Sequence, residues 1–336
     1  MKKKLIALAL SAAMCLSLAA CGQKNDTPTA SGSAAGSASS GSAAQTKYKV
    51  GICQLVQHAA LDAATQGFID ALNEALPGQV EIENKNASGE ANNCGTIVNG
   101  FVSEGVDLIM ANATGALTAA ASATDTIPVL GTSITAYGVA LDISDFNGTV
   151  GGNISGTSDL ADLAKQADMV TEWFPDTQKV GLLFCSAEPN SLYQVQEVAK
   201  CLNEKGIETQ EFAFTDTNDV SSVTQAACDY ADVIYVPTDN TAASNTEAIA
   251  NVTVPAKVPV IAGEEGICSG CGVATLSISY YDLGVTTGKM AAKILTGEAD
   301  ISTMPIEYTE ATPKYNPAMC ETLGITPLDG YTAIEG

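Results

Sequence analysis

Apolar and polar positions alternate along this chain in a way that predicts strands followed by helices. The first apolar run, residues 50–56, has the length of a strand, and residues 61–72 repeat apolar positions about every 3.6 residues, as a helix face does. Gln57 and His58, the only histidine, form a polar elbow between them. Because loops at the carboxyl ends of strands line the ligand crevice of an open α/β sheet, this elbow is a candidate ligand contact. Alternatively, Gln57 is only a loop residue and His58 only starts the helix.

The same alternation continues to about residue 300. Further strands are predicted at residues 80–84, 106–111, 128–131, 179–185, 208–214, 233–236, 258–262 and 276–280. Further helices are predicted at residues 91–104, 117–124, 160–174, 193–204 and 281–296. Such βαβ order predicts parallel sheets with helices on both faces. Since the order starts again after residue 160, the fold class is α/β with two lobes.

The N-terminus has the pattern of an export and anchoring signal. A basic start precedes the apolar residues 5–20, and the string LAACG that follows resembles a bacterial lipobox. In this interpretation, residues 1–20 are a lipoprotein signal peptide and Cys21 carries the lipid. The alternative is an ordinary signal peptide with an incidental cysteine. Residues 21–46 are rich in Ser, Gly and Ala, which predicts a flexible tether.

Charge excludes one class of partner. The chain has 38 acidic residues against 15 basic ones, and all the basic residues are lysines. An acidic surface without arginine is a poor binder of nucleic acid or phosphate, so we expect no nucleic-acid partner. An anionic group on a ligand would have to be held by hydroxyls, amides and backbone N–H groups.

The cysteines and the other reactive residues do not form a catalytic or metal set. Cys268 and Cys271 are the closest pair, but a zinc site needs two more ligands and the sequence has no second such pair. We interpret them as two thiols or a local disulfide in a loop. With one histidine, no G-x-S-x-G elbow and no phosphate-binding loop, we predict neither an enzyme nor a bound cofactor or metal.

Particular strings resemble one family of the type I periplasmic-binding-protein fold. It is the ABC-transporter substrate-binding family whose characterised members carry tryptophan and related aromatic amino acids. The matching strings are VGICQLVQHAALDAATQGFIDAL, GTSDLADLAKQADM, SAEPNSLYQVQ, YVPTDNTAASN, PVIAGEEG and ISYYDLGVTTGKMAAKILTGE. Together these strings are distributed over about residues 48–300 of the chain. The cysteine pair, the number of cysteines and the lack of arginine depart from the family pattern.

The resemblance implies two Rossmann-like, doubly wound parallel-sheet lobes joined by a three-segment hinge. The N-terminal lobe would comprise residues 47–155 and 277–300, and the C-terminal lobe residues 156–276 and 301–336. The chain would cross between lobes near residues 142–158, near residues 273–279 and near Asp300. Closure about such a hinge would bury a small molecule between the lobes.

The loops at strand ends then give the candidate ligand-binding residues. They are Gln57, His58, Thr114, Thr132 and Ser133 in the first lobe, and Ser186, Asn190, Ser191, Thr238, Asp239, Asn240 and Glu264 in the second. Asn190 and Ser191 lie just before the predicted helix at residues 193–204 and could hold a carboxylate with their side chains and backbone N–H groups. An ammonium group could pair with Asp239 or Glu264. Alternatively, Asp239 and Asn240 only cap a helix, and Glu264 lies in a solvated acidic turn.

The resulting hypothesis is an extracytoplasmic, monomeric lipoprotein, held on the cell membrane through Cys21. It would capture an aromatic amino acid (tryptophan, tyrosine or phenylalanine) and deliver it to an ABC transporter permease. Two alternatives stay open: a binding protein for a sugar or nucleoside, and a ligand sensor for a membrane receptor.

Overall fold

Strands and helices alternate throughout the computed structural model, which describes residues 48–335. The predicted signal peptide, the lipid site at Cys21 and the predicted tether lie outside these residues. None of the described helices is long and apolar enough to cross a membrane. Elements are numbered below in chain order.

The first lobe is built on a parallel sheet of six strands in the order β2-β1-β3-β4-β5-β11. The strands are β1 (Tyr48–Gln54), β2 (Val80–Asn86), β3 (Leu108–Asn112), β4 (Val129–Ile134), β5 (Ile154–Ser158) and β11 (Glu307–Tyr308). The helices are α1 (Ala59–Ala75), α2 (Ala91–Glu104), α3 (Thr114–Ala123), α4 (Tyr137–Ala140) and α11 (Tyr280–Leu295), with a 3-10 turn at Ile301–Thr303.

The second lobe is built on a sheet of seven strands in the order β7-β6-β8-β9-β10-β12-β13. The strands are β6 (Lys179–Cys185), β7 (Glu208–Phe214), β8 (Val233–Val236), β9 (Val260–Ala262), β10 (Ala274–Ser277), β12 (Thr312–Tyr315) and β13 (Thr332–Ala333). The helices are α5 (Leu163–Trp173), α6 (Pro189–Glu204), α7 (Val220–Tyr230), α8 (Asn240–Ala243), α9 (Thr246–Ala256), α10 (Glu265–Cys271) and α12 (Pro317–Leu323). Only the β10–β12 pair is antiparallel among the described strand pairs.

Both faces of each sheet are buried, which explains why the sequences of the inner strands are continuous apolar runs. Each sheet separates two hydrophobic clusters, and β3 and β8 have every residue buried. Helices cover both faces, as parallel sheets require. The predicted α/β class with two doubly wound lobes is confirmed.

Several local predictions differ from the structure. Helices α7 and α9 were not predicted, because polar Ser, Thr, Gln and Asn residues interrupt their apolar spacing. The predicted strand at residues 276–280 ends at Ser277, and Ser279 caps α11 by accepting from Asp282 N at 3.2 Å. Cys268 and Cys271 lie in α10 as buried free thiols, not in a loop.

The chain passes between the two lobes after β5, after β10 and after β11. The last crossing falls after Tyr308, whereas the sequence placed it near Asp300. The reason is that Ile301 and Met304 are apolar and pack into the core of the first lobe. Strand β11 then pairs in parallel with β5 at the edge of the first sheet.

Helices α1 and α11 hold the first lobe together through an unusually close approach. A Cβ atom added at Gly284 would lie 2.0 Å from the carbonyl oxygen of Ala64, and one at Gly67 would lie 2.1 Å from that of Tyr281. Only glycine allows this contact, because real Cβ atoms need more than 3.0 Å. The α1–α11 pair thereby fixes two elements that carry cavity residues, namely the start of α1 and the start of α11.

Candidate functional site

A small cavity lies between the lobes, where strands of both sheets end. It is lined by His58, Leu61, Ser133, Thr135, Asp159, Asn190, Thr238, Asp239, Asn240, Ala243, Glu264 and Tyr280. The space among these side chains is about 10 Å³, which is room for about one water molecule. A larger ligand therefore requires the lobes to move apart before it can enter.

Four buried polar atoms of this cavity lack a hydrogen-bond partner within the described part of the chain. They are His58 Nδ1, Ser133 Oγ, Asp159 Oδ1 and Asn190 Oδ1. Leaving such an atom unpaired costs about 1–3 kcal/mol. Their convergence on one cavity makes this cavity the candidate site for a polar ligand.

The wall contributed by β4 contains a strained residue. Ser133 has a φ of 56°, in the left-handed region that non-glycine residues seldom adopt. This backbone conformation occurs near the end of the strand, and the Ser133 hydroxyl is buried at the cavity. Strain of this kind persists where the surrounding structure enforces it, and it is frequent at binding sites.

Asp159 follows β5 directly and occupies the first crossing between the lobes. Its Oδ2 accepts a hydrogen bond from the Tyr280 hydroxyl at 3.0 Å, while Oδ1 stays unpaired. Tyr280 begins α11, just after the second crossing. This hydrogen bond therefore connects the first crossing segment with the second. One oxygen of Asp159 is thus held by Tyr280, and hydrogen bonding from the neighbouring Thr135 side chain also lowers the pKa of this carboxyl. Oδ1 lies at the cavity.

Asp239 and Glu264 line the cavity and also cap helices of the second lobe. Asp239 accepts from Cys185 N and from Ala242 N, both at 2.7 Å. Glu264 accepts from the first backbone N–H groups of α10, including Gly266 N at 2.7 Å. The capping role that the sequence left open for Asp239 is therefore present, and Glu264 is a buried cap and not a solvated turn residue.

The three carboxyls of the cavity have raised pKa values. Burial raises the pKa of Asp159 to about 6, that of Glu264 to about 7 and that of Asp239 to about 8. The charge of Glu188 adds to the effect on Asp239. Each raised pKa means that the buried carboxylate lacks a cationic partner. An ammonium group placed among them would restore the ionised forms.

His58 connects the lobes. Its Nε2 lies 3.3 Å from Asn240 Oδ1, and Asn240 Nδ2 donates to Glu188 Oε2 at 2.7 Å. Since Glu188 holds the amide nitrogen, the amide oxygen faces the imidazole, and we assign the proton to Nε2. The first lobe is thus hydrogen-bonded to the second across the cavity.

Seven of the residues proposed from the sequence lie in the cavity and five do not. The five are Gln57, Thr114, Thr132, Ser186 and Ser191. Gln57 and Ser186 are exposed. Thr132 is buried against Thr157, with 3.2 Å between the hydroxyl oxygens. Ser191 does not line the cavity: its hydroxyl donates to the carbonyl of Thr238 at 3.5 Å and hydrogen-bonds Asp239, which does line it.

Five lining residues are absent from the candidates proposed from the sequence: Leu61, Thr135, Asp159, Ala243 and Tyr280. For Tyr280 the sequence left two interpretations open, packing at the hinge and an aromatic wall of the cleft. Asp159 could have been found by the strand-end rule, which states that loops at the carboxyl ends of parallel strands line the ligand crevice, since Asp159 directly follows β5. It was passed over because the preceding residues, through 158, were assigned to the hinge. Glu188, which accepts hydrogen bonds from Asn240 N and Thr241 N beside the cavity, was not proposed either, although Pro189 at the first position of α6 marks Glu188 as the residue that precedes the helix.

Comparison with known proteins decides the family. The family described as ABC transporter substrate binding protein matches residues 49–330, which include both lobes and all the cavity residues. The chain belongs to the ABC transporter substrate-binding family. Members of this family bind solutes, so this substrate-binding protein is not an enzyme.

Three relatives align with most of the length of this substrate-binding protein. A "Tyrosine-binding protein" of Clostridioides difficile is 31% identical over 313 residues, covering 92% of this chain and 89% of the relative. An ABC domain from Streptococcus pneumoniae in complex with L-Trp is 30% identical, with a TM-score of 0.81 over 86% of this chain and 100% of that one. A ligand-free, open substrate-binding protein from Clostridioides difficile is 31% identical, with a TM-score of 0.66 over 86% of this chain and 99% of that one.

Proposed function

We propose that this substrate-binding protein captures an amino acid with an aromatic side chain and delivers it to an ABC transporter permease. The observation that carries the proposal is the unpaired Oδ1 of Asp159, buried in a cavity with two more carboxyls of raised pKa. A buried ammonium group needs such an acceptor. The α-ammonium of an amino acid would bind Asp159, with Glu264 close by.

The remaining unpaired atoms of the cavity suit the rest of an amino acid backbone. The Ser133 hydroxyl can donate to a carboxylate, and its strained backbone holds it there. The sequence assigned the carboxylate to Asn190 and Ser191. Asn190 Nδ2 instead donates to the carbonyl of Thr238 at 3.2 Å and leaves its Oδ1 free. An acceptor at that position favours the ammonium side of the ligand.

The relative placement of the lobes supports capture by closure. The structures of the L-Trp complex and of the ligand-free, open protein each match 86% of this chain, at 30% and 31% identity, yet their TM-scores are 0.81 and 0.66. The lobes of this protein are thus arranged more like those of the complex. The hydrogen bond between His58 and Asn240 is consistent with a closed arrangement.

The aromatic side chain is supported by the relatives, which are described as binding tyrosine and tryptophan. Leu61, Ala243 and the ring of Tyr280 are the apolar parts of the cavity wall. These groups border the polar atoms, as expected of a site that orients a ligand by its head group and packs against its side chain.

A thermal-shift screen of the twenty amino acids, a set of sugars and a set of nucleosides tests this function. We expect tyrosine, tryptophan or phenylalanine to give the largest increase in melting temperature. Ligand at 100 times its dissociation constant adds about 2.7 kcal/mol to the free energy of unfolding. If a sugar or nucleoside raises the melting temperature and no amino acid does, the proposed ligand class is wrong.

We further propose that the protein is a lipoprotein anchored through Cys21 on the extracytoplasmic side of the membrane. The support is the basic start, the apolar run and the LAACG string that ends in the small tether residues. Two acyl chains give stable anchoring, whereas one chain gives only marginal binding. Cys21→Ser should move the protein from the membrane pellet to the soluble fraction, measured by immunoblot after fractionation. Retention of the variant in detergent-extractable membranes would contradict the anchor.

A further inference from the structure

His58 presents one ring nitrogen to the second lobe and the other to the cavity. Nε2 donates to Asn240 Oδ1, whose amide is fixed because Asn240 Nδ2 and Asn240 N both donate to Glu188 Oε2, at 2.7 and 3.0 Å. Nδ1 is buried at the cavity and has no partner within the described residues. In its neutral form His58 therefore points a lone pair at the ligand, and in its cationic form it points an N–H donor.

The cavity has no permanent cation for a ligand carboxylate. Three of its lining side chains are carboxyls, and none of those lining the cavity in the described part of the chain is lysine. The sequence contains no arginine. Ser133 offers a neutral hydroxyl, but a carboxylate enclosed between the lobes needs a charged partner or a denser set of donors. His58 is the one lining side chain that can acquire a positive charge.

The surroundings of His58 favour its neutral form. Burial lowers its pKa, and the hydrogen bond with Asn240 and the charges of Glu188 and Asp62 offset this effect only in part. Glu188 belongs to the start of α6, and Asp62 is one turn along α1 from His58. The other titratable groups that face the same cavity are Asp159, Asp239, Glu264 and Tyr280. A further negative charge beside Nδ1 would shift this balance toward the imidazolium.

We propose that His58 takes up a proton when an amino acid closes into the cavity, and that its Nδ1–H then donates to the ligand carboxylate. The proton comes from the solvent and forms the new N–H bond at Nδ1, while Nε2–H keeps its bond to Asn240. The ligand remains a zwitterion, so the complex gains one positive charge. This inference rests on the proposed function, since it requires an amino acid as the ligand. It makes His58 the residue that distinguishes an amino acid from the corresponding amine.

Calorimetric titration in buffers of different ionisation enthalpy measures the protons taken up per ligand bound. The titrations compare L-tyrosine with tyramine, which has the same ring and ammonium group but no carboxylate, about one pH unit above the ordinary pKa of histidine. Protons released by the cavity carboxyls on meeting the ammonium are common to both ligands and cancel in the difference. We expect L-tyrosine to take up about one proton more than tyramine. In His58→Gln this difference should vanish, and in the control Gln57→Ala, at an exposed neighbour outside the cavity, it should persist.

Nitrogen NMR of protein labelled at histidine provides a second measurement that needs no variant. Because the chain has a single histidine, its two ring nitrogens give the only imidazole signals. We expect a neutral ring protonated at Nε2 without ligand and with tyramine, and a doubly protonated ring with L-tyrosine. A ring that stays neutral with bound L-tyrosine, or an equal proton count for the two ligands, would overturn the role of His58 and leave the amino acid site intact. Absence of binding by every amino acid would overturn the proposed function and this inference with it.

Discussion

Asp159→Asn is expected to weaken the binding of an aromatic L-amino acid by about 30-fold or more. The asparagine keeps the size of the side chain and its bond with Tyr280, but it removes the negative charge opposite the ligand ammonium. Hydrogen bonds to charged groups contribute about 1.5–3 kcal/mol, and a loss of about 2 kcal/mol is a factor of about 30 in the dissociation constant. Titration calorimetry of the parent and the variant measures the change directly.

The pH dependence of binding provides an independent check on this role of Asp159. Burial raises the pKa of Asp159 to about 6, so in the ligand-free protein the carboxylate is ionised above this pH and protonated below it. The affinity of the parent relative to Asp159→Asn should therefore fall as the pH drops through about 6, since the proton uptake proposed at His58 is common to both proteins and cancels in this ratio. Asp162→Asn, at an exposed carboxylate that caps α5 outside the cavity, is the matched control and should bind as the parent does. Equal affinity of Asp159→Asn and the parent would refute the assignment and direct attention to Glu264.

Gly284→Ala is expected to lower the free energy of unfolding by about 3 kcal/mol, the upper part of the usual range for overpacking. The new methyl would meet the backbone carbonyl of Ala64 at 2.0 Å, and backbone cannot turn aside as a side chain can. Relief requires α1 and α11 to separate, which disturbs both the core of the first lobe and the position of Tyr280. Chemical denaturation monitored by circular dichroism measures the loss.

Gly100→Ala is the matched control for this substitution. Gly100 also lies inside a helix, α2, but a Cβ atom there would meet nothing within 4 Å. Because alanine has a higher helix propensity than glycine by about 1 kcal/mol, this variant should be as stable as the parent or slightly more so. If the two variants changed stability alike, the close approach of α1 and α11 would not explain the requirement for glycine at position 284.

The fold could be predicted largely from local pattern because the inner strands of both sheets are parallel and buried. Strands such as β1, β3 and β6 appear in the sequence as short apolar runs that end in polar loops. Helix α7 could not be found this way, since its buried face is narrow and the rest of it is polar. The third crossing was misplaced because the pairing of β11 with β5 joins residues far apart in the sequence.

The site could be predicted only in part, for a related reason. The strand-end rule brought His58, Ser133 and Glu264 to the cavity, because each stands near the end of a strand that the apolar pattern reveals. The same rule could not distinguish these cavity residues from Thr132 or Ser186, which do not line the cavity. Adjacent residues of a strand point to opposite faces of the sheet, so an error of one residue in the strand end changes which side chain faces the cavity. Tyr280 lies at the cavity because α11 packs on α1, and this packing cannot be predicted from a local pattern of residues.

A crystal structure of the protein with bound L-tyrosine or L-tryptophan tests the central claim most directly. We expect one amino acid between the lobes, with its ammonium nitrogen within hydrogen-bonding distance of Asp159 Oδ1 and its carboxylate beside Ser133 and His58. An amino acid bound outside this cavity, or bound within it with the carboxylate facing Asp159, would contradict the account.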